Sequence, residues 1–243
     1  MIPAAGLGSR LRRDVPKALV EVDGRPMLLH LIELYRPFVQ RVVVIAHPAW
    51  TAAVRACAGD AAVDVAEQPS PTGMLDAILL AAPAVQAHAP DHVWITWADQ
   101  IAVLPETVRR LVDCESAASA PDVVVPTVRR ADPYIHFERD TAGRIAGLRQ
   151  RREGDVMPAE GESDIGVFAM TRPIFDGDLQ AFAAAARADA GTGERNFLPF
   201  IPWVAQRRIV ATFPCGDPME SVGINTPEDL LAVETWLRTR HAS

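Results

Sequence analysis

The sequence opens on a short apolar run that passes into small residues, and this stretch constrains the fold more than any other. Ile2 and Pro3 begin it, and Arg10 and Lys17 follow it. The residues between are Ala4, Ala5, Gly6, Leu7, Gly8 and Ser9. Small residues leave main-chain N–H groups free to face anionic oxygens. Arg10 can grip two phosphate oxygens as a fork, and Lys17 adds a compact charge. The stretch predicts a strand followed by a nucleotide-handling loop.

Neither of the two commonest phosphate loops is present, because GxxxxGK[ST] is absent and G-L-G-S-R-L lacks the third dinucleotide-binding glycine. The run P-A-A-G-L-G-S-R followed by Pro16 and Lys17 resembles the signature L-A-A-G-x-G-T-R…P-K. That signature belongs to the sugar-phosphate nucleotidyltransferases, and the likeness continues through residue 28. The resemblance implies that residues 4–10 and Lys17 bind the nucleotide. It also implies a few further residues before this strand.

Apolar runs alternate with helical patterns along the chain, which is typical of βαβ units. We expect strands at residues 2–5, 41–46, 93–100, 122–128 and 167–170, a hairpin turn at the D-T-A-G segment 140–143, and a helix at 26–38. The fold class predicted is α/β, with a Rossmann-like mixed, mostly parallel sheet flanked by helices, of the nucleotidyltransferase or GT-A-like kind. With 243 residues and 49% apolar composition, a single domain over 1–243 is expected. Residues about 121–200 form its acceptor-binding part.

The charge balance limits the partners. A net charge of −7 argues against a general nucleic-acid or anionic-membrane surface. Cys57, Cys114 and Cys215 are too widely spaced for a metal pattern, and no run approaches the ~18 apolar residues of a membrane span. We expect a cytoplasmic protein without nucleic-acid or membrane partners. A homo-oligomer is compatible with the sequence, which does not reveal the oligomeric state.

A second motif lies at residues 67–78, E-Q-P-S-P-T-G-M-L-D-A-I. Gln68 ends a strand, and an amide that donates and accepts together fits uracil or thymine better than cytosine. The run resembles Q-P-S-P-x-G-L-A-Q-A of glucose-1-phosphate thymidylyltransferases, which implies that Gln68 and Gly73 face the base, beside Met74. Related uridylyltransferases often carry Gly-Thr at this point. His47 also ends a strand, but we interpret it mainly as a structural turn residue.

Asp99 ends the buried strand V-W-I-T-W. A carboxylate there is costly unless it is paired or binds a cation, and Mg²⁺ is the obvious cation for a phosphate site. The position resembles the metal-binding Asp of the family's G-D strand end. The run G-I-N-T-P-E-D-L at 223–230 resembles the family's G-V-N-T-P-E-D-L, which implies that Asn225 is the second protein ligand of Mg²⁺.

The acceptor half resembles the family less closely. The run D-P-Y-I-H-F-E at 132–138 resembles D-P-x-x-Y-G-V-V-E-F, with Ile135 in place of a glycine whose backbone lies against the sugar. The resemblance places acceptor contacts at Tyr134, Gln150, Asp164 and Glu194. Arg149, Arg151 and Arg152 form a basic cluster that faces either the acceptor phosphate or solvent.

The implied reaction is an attack by an acceptor phosphate on the α-phosphorus of an NTP, with release of pyrophosphate. Arg10, Lys17 and Asp99 are the expected catalytic residues. A pyrimidine NTP, dTTP or UTP, and a sugar 1-phosphate are favoured, as in N-acetylglucosamine-1-phosphate uridylyltransferase domains. One alternative is a cytidylyltransferase acting on a small alcohol phosphate or phosphonate.

Two other classes stay open. A GT-A-type glycosyltransferase normally carries Asp-x-Asp at this strand end, whereas Gln100 and Ile101 follow Asp99 here. A nucleotide-binding regulatory subunit without catalysis is the other, and intact Arg10, Lys17, Asp99 and Asn225 argue against it.

Overall fold

The computed structural model describes residues 1–6, 11, 15–59, 62–117, 120–189 and 192–241. Among the helices in these ranges, none combines the length and the apolar character that crossing a bilayer requires. The described strands are β1 (Ile2–Pro3), β2 (Glu21–Val22), β3 (Arg25–Pro26), β4 (Val42–Ala46), β5 (Val63–Glu67), β6 (His92–Thr96), β7 (Val123–Ala131), β8 (Ile135–Arg139), β9 (Ile145–Gln150), β10 (Glu160–Asp164), β11 (Val167–Thr171) and β12 (Val210–Pro214).

The described α-helices run between these strands and close the chain. They are α1 (Met27–Tyr35), α2 (Thr51–Ala58), α3 (Met74–Leu79), α4 (Ala82–His88), α5 (Pro105–Glu115), α6 (Leu179–Ala185), α7 (Phe200–Ala205) and α8 (Pro227–His241). A π-helical turn, Ile174–Asp178, leads into α6. The helix expected at 26–38 corresponds to α1, whose Met27, Leu28, Leu31 and Ile32 are buried at helical spacing.

The first sheet is parallel and has the order β1-β4-β5. Strand β4 is buried along its whole length, as its β-branched sequence predicts. Ile2 pairs with Val44, and Ala46 pairs with Glu67. The backbone oxygen of Met1 also accepts a hydrogen bond from Thr96 N at 3.0 Å, so β1 lies beside β6 as well. The ends of β1, β4, β5 and β6 therefore lie along one edge.

The second sheet has the order β10-β7-β11-β6, with β12 alongside β7. Strand β11 runs antiparallel to both of its neighbours, and only the β12–β7 pair is parallel. The expectation of a mostly parallel sheet thus applies to the first sheet, and the described architecture as a whole is mixed. Strands β10 and β11 both pair antiparallel with β7, at successive positions, so they run in the same direction and are interrupted only at Ile165 and Gly166.

The acceptor half adds a hairpin of β8 and β9, which forms a separate two-stranded sheet. It packs beside β10, where Ser163 Oγ donates to Ile135 O. Its turn is the expected D-T-A-G segment, in which Asp140 accepts bonds from Ala142 N and Arg144 N. Buried apolar side chains form two main hydrophobic cores. One includes side chains of the first sheet and α8, and the other includes side chains of α6 and α7. Phe168, Phe197 and Phe200 pack edge-on or tilted within the second core, which fixes the segment that leads into α7 beside β11.

Glu220 ties the segment before α8 to the segment after β6. Its fully buried carboxylate accepts hydrogen bonds from Leu104 N at 2.9 Å, Gly216 N at 3.1 Å and Asp217 N at 3.2 Å. Three main-chain donors satisfy a charge that would otherwise be costly to bury.

We predict that Glu220→Ala lowers the free energy of unfolding by about 3 kcal/mol, because it leaves buried N–H groups without acceptors. Glu220→Gln keeps one oxygen and should lose less. The measurement is urea denaturation, with the exposed Glu228→Ala as control, expected to change stability by at most about 1 kcal/mol. Equal losses for Glu220→Ala and Glu228→Ala would contradict this role.

Candidate functional site

Three neighbouring strand ends of the first sheet meet at one edge. Ala4 N donates to Ile45 O at 2.7 Å, and Gln68 N donates to Ala46 O at 2.9 Å. These bonds set Ala5, His47 and Gln68 side by side, just beyond β1, β4 and β5. The carboxyl edge of a parallel sheet is where open α/β folds bind ligands.

A cavity of about 460 Å³ opens above these strand ends. One side consists of residues from the strand ends and the start of α3, namely Pro3, Ala5, Gly6, His47, Gln68, Pro69, Pro71, Gly73, Met74 and Ala77. The other side consists of Arg152, Glu153, Asp189, Thr192, Glu194, Arg195 and Asn196. The structure therefore brings the described residues predicted for the base together with a predicted acceptor residue, Glu194.

Gln68 is buried, and its amide group has a fixed orientation. Its Nε2 donates to Gly73 O at 3.1 Å and to Thr72 Oγ1 at 3.3 Å. A carbonyl oxygen only accepts, so the nitrogen must face Gly73. Both amide hydrogens are engaged, which leaves the oxygen for a ligand and differs from the expectation that Gln68 donates and accepts together.

Gly73 lies directly against the backbone of Arg195. A Cβ atom added at Gly73 would come within 2.4 Å of both Arg195 N and Arg195 O, and the backbone has φ +111°. Arg195 N donates to Thr72 O at 2.8 Å, and Leu75 N donates to Arg195 O at 3.1 Å. The Pro-rich loop, residues 69–73, and the segment 194–196 are therefore held together by main-chain hydrogen bonds, as two neighbouring strands are.

The Arg195 side chain strengthens this joint. Its guanidinium bonds Asp76 through Nε at 2.8 Å, pairs with the same carboxylate through a second nitrogen, and donates to Ala183 O at 2.7 Å. The sequence reasoning missed this pair, although Arg195 directly follows the predicted Glu194. No local pattern signals a contact that spans 119 residues.

Lys17, Asp99 and Asn225 form a second cluster. The ammonium group of Lys17 donates to Asp99 Oδ2 and, at 2.8 Å, to Asn225 Oδ1. Both side chains of the Lys17–Asp99 ion pair are largely shielded, with 17% and 15% exposure. The structure thus joins a predicted catalytic residue to both predicted metal ligands.

The two oxygens of this cluster are held in place by main-chain contacts. Asn225 Nδ2 donates to Gly223 O at 3.0 Å, which turns Oδ1 towards Lys17. Ile224 N donates to Asp99 O at 3.2 Å. The Asp229 carboxylate accepts from Asn225 N at 2.9 Å and from Thr226 N at 2.8 Å. The start of α8 is therefore fixed against the end of β6.

The donor set of this cluster fits a magnesium ion. Asp99 offers a carboxylate oxygen and Asn225 an amide oxygen, and both already face a cation, the Lys17 ammonium. Mg²⁺ takes one or two protein oxygens and completes its shell with phosphate and water. Within the described ranges, no group of three or more His, Cys, Asp or Glu side chains could hold a metal ion.

The remaining acceptor residues are dispersed. Gln150 is buried, and its Oε1 accepts from Asn196 Nδ2 at 2.6 Å, which ties β9 to the 194–196 segment. Glu194 accepts from Arg152 at 2.8 Å. Tyr134 is 53% exposed and does not line the cavity. Of these residues, Glu194 alone contributes to the cavity lining.

The basic cluster of β9 is paired with acids throughout. Arg149 bonds Glu138, Arg151 pairs with Asp132, and Arg152 bonds Glu194. The pair with Arg151 lowers the pKa of the Asp132 carboxyl. Of the three arginines, only Arg152 lines the cavity.

Asp164 ends β10, and its Oδ1 accepts from Gly166 N at 2.7 Å. Burial raises the pKa of the Asp164 carboxyl to about 6, against the opposing effect of this hydrogen bond. Gly166 in turn lies against Trp97 and Gln100, the residues on either side of Ala98 and Asp99. Asp164 is therefore positioned near the end of β6 rather than in the cavity.

Leu7, Gly8, Ser9 and Arg10, which are predicted to bind the nucleotide, lie outside the described residues. Ala4 is buried, and Ala5 and Gly6 reach the cavity edge. The predicted contact between Arg10 and phosphate stays a prediction.

We predict that Gly73→Ala destabilises the protein by about 3 kcal/mol, since the new methyl group meets the Arg195 backbone and the backbone is strained for an L residue. Gly143→Ala is the matched control, because its φ is +78° with nothing within 4 Å, and it should cost about 1 kcal/mol. Thermal or urea unfolding compares the two. Similar losses would show that the contact with Arg195 is unimportant.

We predict that Asp164→Asn stabilises the protein at pH 8 by about 2 kcal/mol and has no effect near pH 4. The carboxyl pKa is raised in the folded state, so wild type loses stability as the pH rises from about 4 through 6, whereas the amide stays neutral and still accepts from Gly166 N. Urea denaturation at both pH values measures this. Asp140→Asn should lose stability at pH 8, since Arg144 lowers the pKa of Asp140. A stability gain independent of pH would contradict the assignment.

Comparisons with known proteins show the family to which the chain belongs. Residues 1–163 match the MobA-like NTP transferase domain. The chain is 31% identical over 241 residues to the bifunctional protein GlmU of Cupriavidus pinatubonensis, which covers 96% of this chain and 50% of that protein. The corresponding protein of Nitratidesulfovibrio vulgaris is 29% identical over 248 residues, covering 99% of this chain and 52% of that protein. The chain thus spans about half the length of these curated relatives. On the family match, it is a nucleotidyltransferase domain that belongs to the family of MobA-like NTP transferases.

Proposed function

We propose that this protein transfers a nucleotidyl group from a pyrimidine NTP, UTP or dTTP, to the phosphate of a small acceptor such as a sugar 1-phosphate, releasing pyrophosphate. The observation that carries the proposal is the Lys17 ammonium held between Asp99 and Asn225. The cluster joins a cation to two hard oxygens at the end of β6. Transfer between phosphate groups brings several negatively charged oxygens together, and positive charge placed there stabilises the transition state.

The nucleotide would lie along the carboxyl edge of the first sheet. Ala5 and Gly6 line the cavity after the end of β1, and Gln68 and Gly73 line it after the end of β5. A ligand that reaches from Gly6 to Gln68 passes over three strand ends. Residues about 121–200 are proposed as the acceptor-binding part of a single domain over 1–243, and Glu194 with Arg152 supplies its polar groups in the cavity.

In the proposed reaction, an oxygen of the acceptor phosphate attacks the α-phosphorus, and the bond to the β-phosphate oxygen breaks. The protein contributes position and charge rather than a covalent intermediate. Lys17 stabilises the charge that builds at the α-phosphate, and Arg10 holds the leaving β- and γ-phosphates. When bound by Asp99 and Asn225, Mg²⁺ would supply charge neutralisation between the two phosphates.

Lys17 is suited to this role by its shape. Of the 24 lysines and arginines in the chain, it is the only lysine. An ammonium group is a compact charge with three donors, which fits between two oxygens and then turns to a phosphate. A planar guanidinium has a fixed fork that is poorly matched to this position.

The test is pyrophosphate release with Mg²⁺, in which ATP, GTP, CTP, UTP and dTTP are each combined with sugar 1-phosphates and small alcohol phosphates. Release that requires UTP or dTTP together with one phosphorylated acceptor would support the proposal. Release that requires CTP and an alcohol phosphate would replace it with the cytidylyltransferase alternative. NTP binding without release for any acceptor would favour a regulatory role.

We predict that Lys17→Ala leaves the fold intact and lowers turnover at least about a hundredfold, because it removes charge from the developing transition state. Steady-state pyrophosphate release gives the rate, and circular dichroism checks folding. Arg207→Ala is the control, since Arg207 stacks on Trp203 away from both clusters. A near-wild-type rate in Lys17→Ala would remove Lys17 from the mechanism.

A further inference from the structure

The Gln68 side chain alone can accept a hydrogen bond from a base but cannot donate one to it. Both hydrogens of its amide are engaged within the protein, by Gly73 O at 3.1 Å and by Thr72 Oγ1 at 3.3 Å. Its oxygen can accept a hydrogen bond from a base, but its nitrogen has no hydrogen left to offer to a base carbonyl. Another group must supply a donor if the base is to be read at two adjacent atoms.

His47 lies at the neighbouring strand end and lines the same cavity. Ala46 pairs with Glu67 in the parallel register, and Gln68 N donates to Ala46 O, so His47 and Gln68 are the next residues along adjacent strands. The spacing of neighbouring strands is about 4.8 Å. Two atoms on one edge of a base can therefore engage both side chains.

The hydrogen bond within its own turn selects the tautomer of the neutral His47 ring. Nδ1 accepts a hydrogen bond from Ala49 N at 3.2 Å, where His47 caps the short helical turn Pro48–Trp50. A nitrogen that accepts carries no hydrogen, so in the neutral ring the hydrogen lies on Nε2. His47 therefore offers an N–H donor, which is the group that Gln68 lacks.

We propose that His47 and Gln68 act as a pair that selects the base, His47 donating to a ring carbonyl and Gln68 Oε1 accepting from the adjacent ring N–H. This inference rests on the proposed function and deepens it. A carbonyl beside an N–H occurs in uracil, thymine and guanine. Placed in the same pose, cytosine and adenine present an amino group to His47 and an unprotonated ring nitrogen to Gln68, so neither protein group is paired.

The first experiment uses the wild-type protein and titration calorimetry with Mg²⁺. UTP should bind at least about tenfold more tightly than CTP or ATP, and 3-methyl-UTP, which lacks the ring N–H, should bind about tenfold more weakly than UTP. Uracil and guanine both present a carbonyl beside a ring N–H, so titration with GTP is needed to distinguish them. Tighter GTP binding would assign guanine, and tighter UTP binding would assign uracil.

The second experiment changes His47. His47→Ser keeps a capping oxygen for Ala49 N but removes the imidazole donor, and it should weaken UTP about tenfold while changing CTP less than about twofold. His47→Gln restores a donor of similar reach and should recover part of the loss. His88→Ser is the matched control, because His88 pairs with Asp64 outside the cavity, and UTP affinity should not change.

The outcomes distinguish failure of the His47–Gln68 pair from failure of the proposed nucleotidyl transfer. Wild type that releases pyrophosphate from CTP or ATP in preference to UTP and GTP would overturn the pair and leave nucleotidyl transfer standing. Equal UTP affinity in wild type and a folded His47→Ser, or equal affinity for UTP and 3-methyl-UTP, would do the same. Absence of binding for every NTP would instead contradict the proposed function, and the inference with it.

Discussion

The Lys17 ammonium between Asp99 and Asn225 is the interaction on which the arrangement of the site depends. Its two hydrogen bonds join residues 82 and 208 positions apart in the sequence. They connect the turn after the first strand, the end of a central strand and the start of the last helix. A charge shielded from water is stabilised only when its partners are well placed, so the surrounding main-chain bonds matter as much as the ion pair. Those bonds come from Gly223, Ile224 and Asp229.

A second joint connects the base side of the cavity to the acceptor side. Gly73 packs on the Arg195 backbone, and the Arg195 side chain pairs with Asp76. The neighbouring Glu194 bonds Arg152, and Asn196 bonds Gln150. Three consecutive residues thus contact two separate segments, 150–152 and 73–76. A shift of the Pro-rich loop on base binding would be passed through this joint to the groups proposed for the acceptor, because packed segments of this kind move together.

Local patterns predicted part of this structure and could not predict the rest. Periodicity placed α1 and β4, and strand ends placed Gln68 and Asp99 on one edge. The hydrophobic periodicity could not predict that β11 is antiparallel to its neighbours, since a buried strand has the same apolar pattern in either direction. The engagement of both Gln68 hydrogens depends on a loop carbonyl, and the Arg195–Asp76 pair spans 119 residues. Motif resemblance supplied Asn225, which neither composition nor periodicity indicates.

The Lys17 cluster also constrains the order of events in the proposed reaction. A metal ion held by Asp99 and Asn225 would compete with the Lys17 ammonium for their oxygens, so metal binding would weaken the bonds that Lys17 makes there. An ammonium that leaves two partners needs other anions, and a triphosphate supplies them. Metal entry and nucleotide entry are therefore coupled under this mechanism. Lys17 pairs with Asp99 and bonds Asn225, while the main-chain bond from Ile224 N to Asp99 O holds the end of β6 beside the segment before α8.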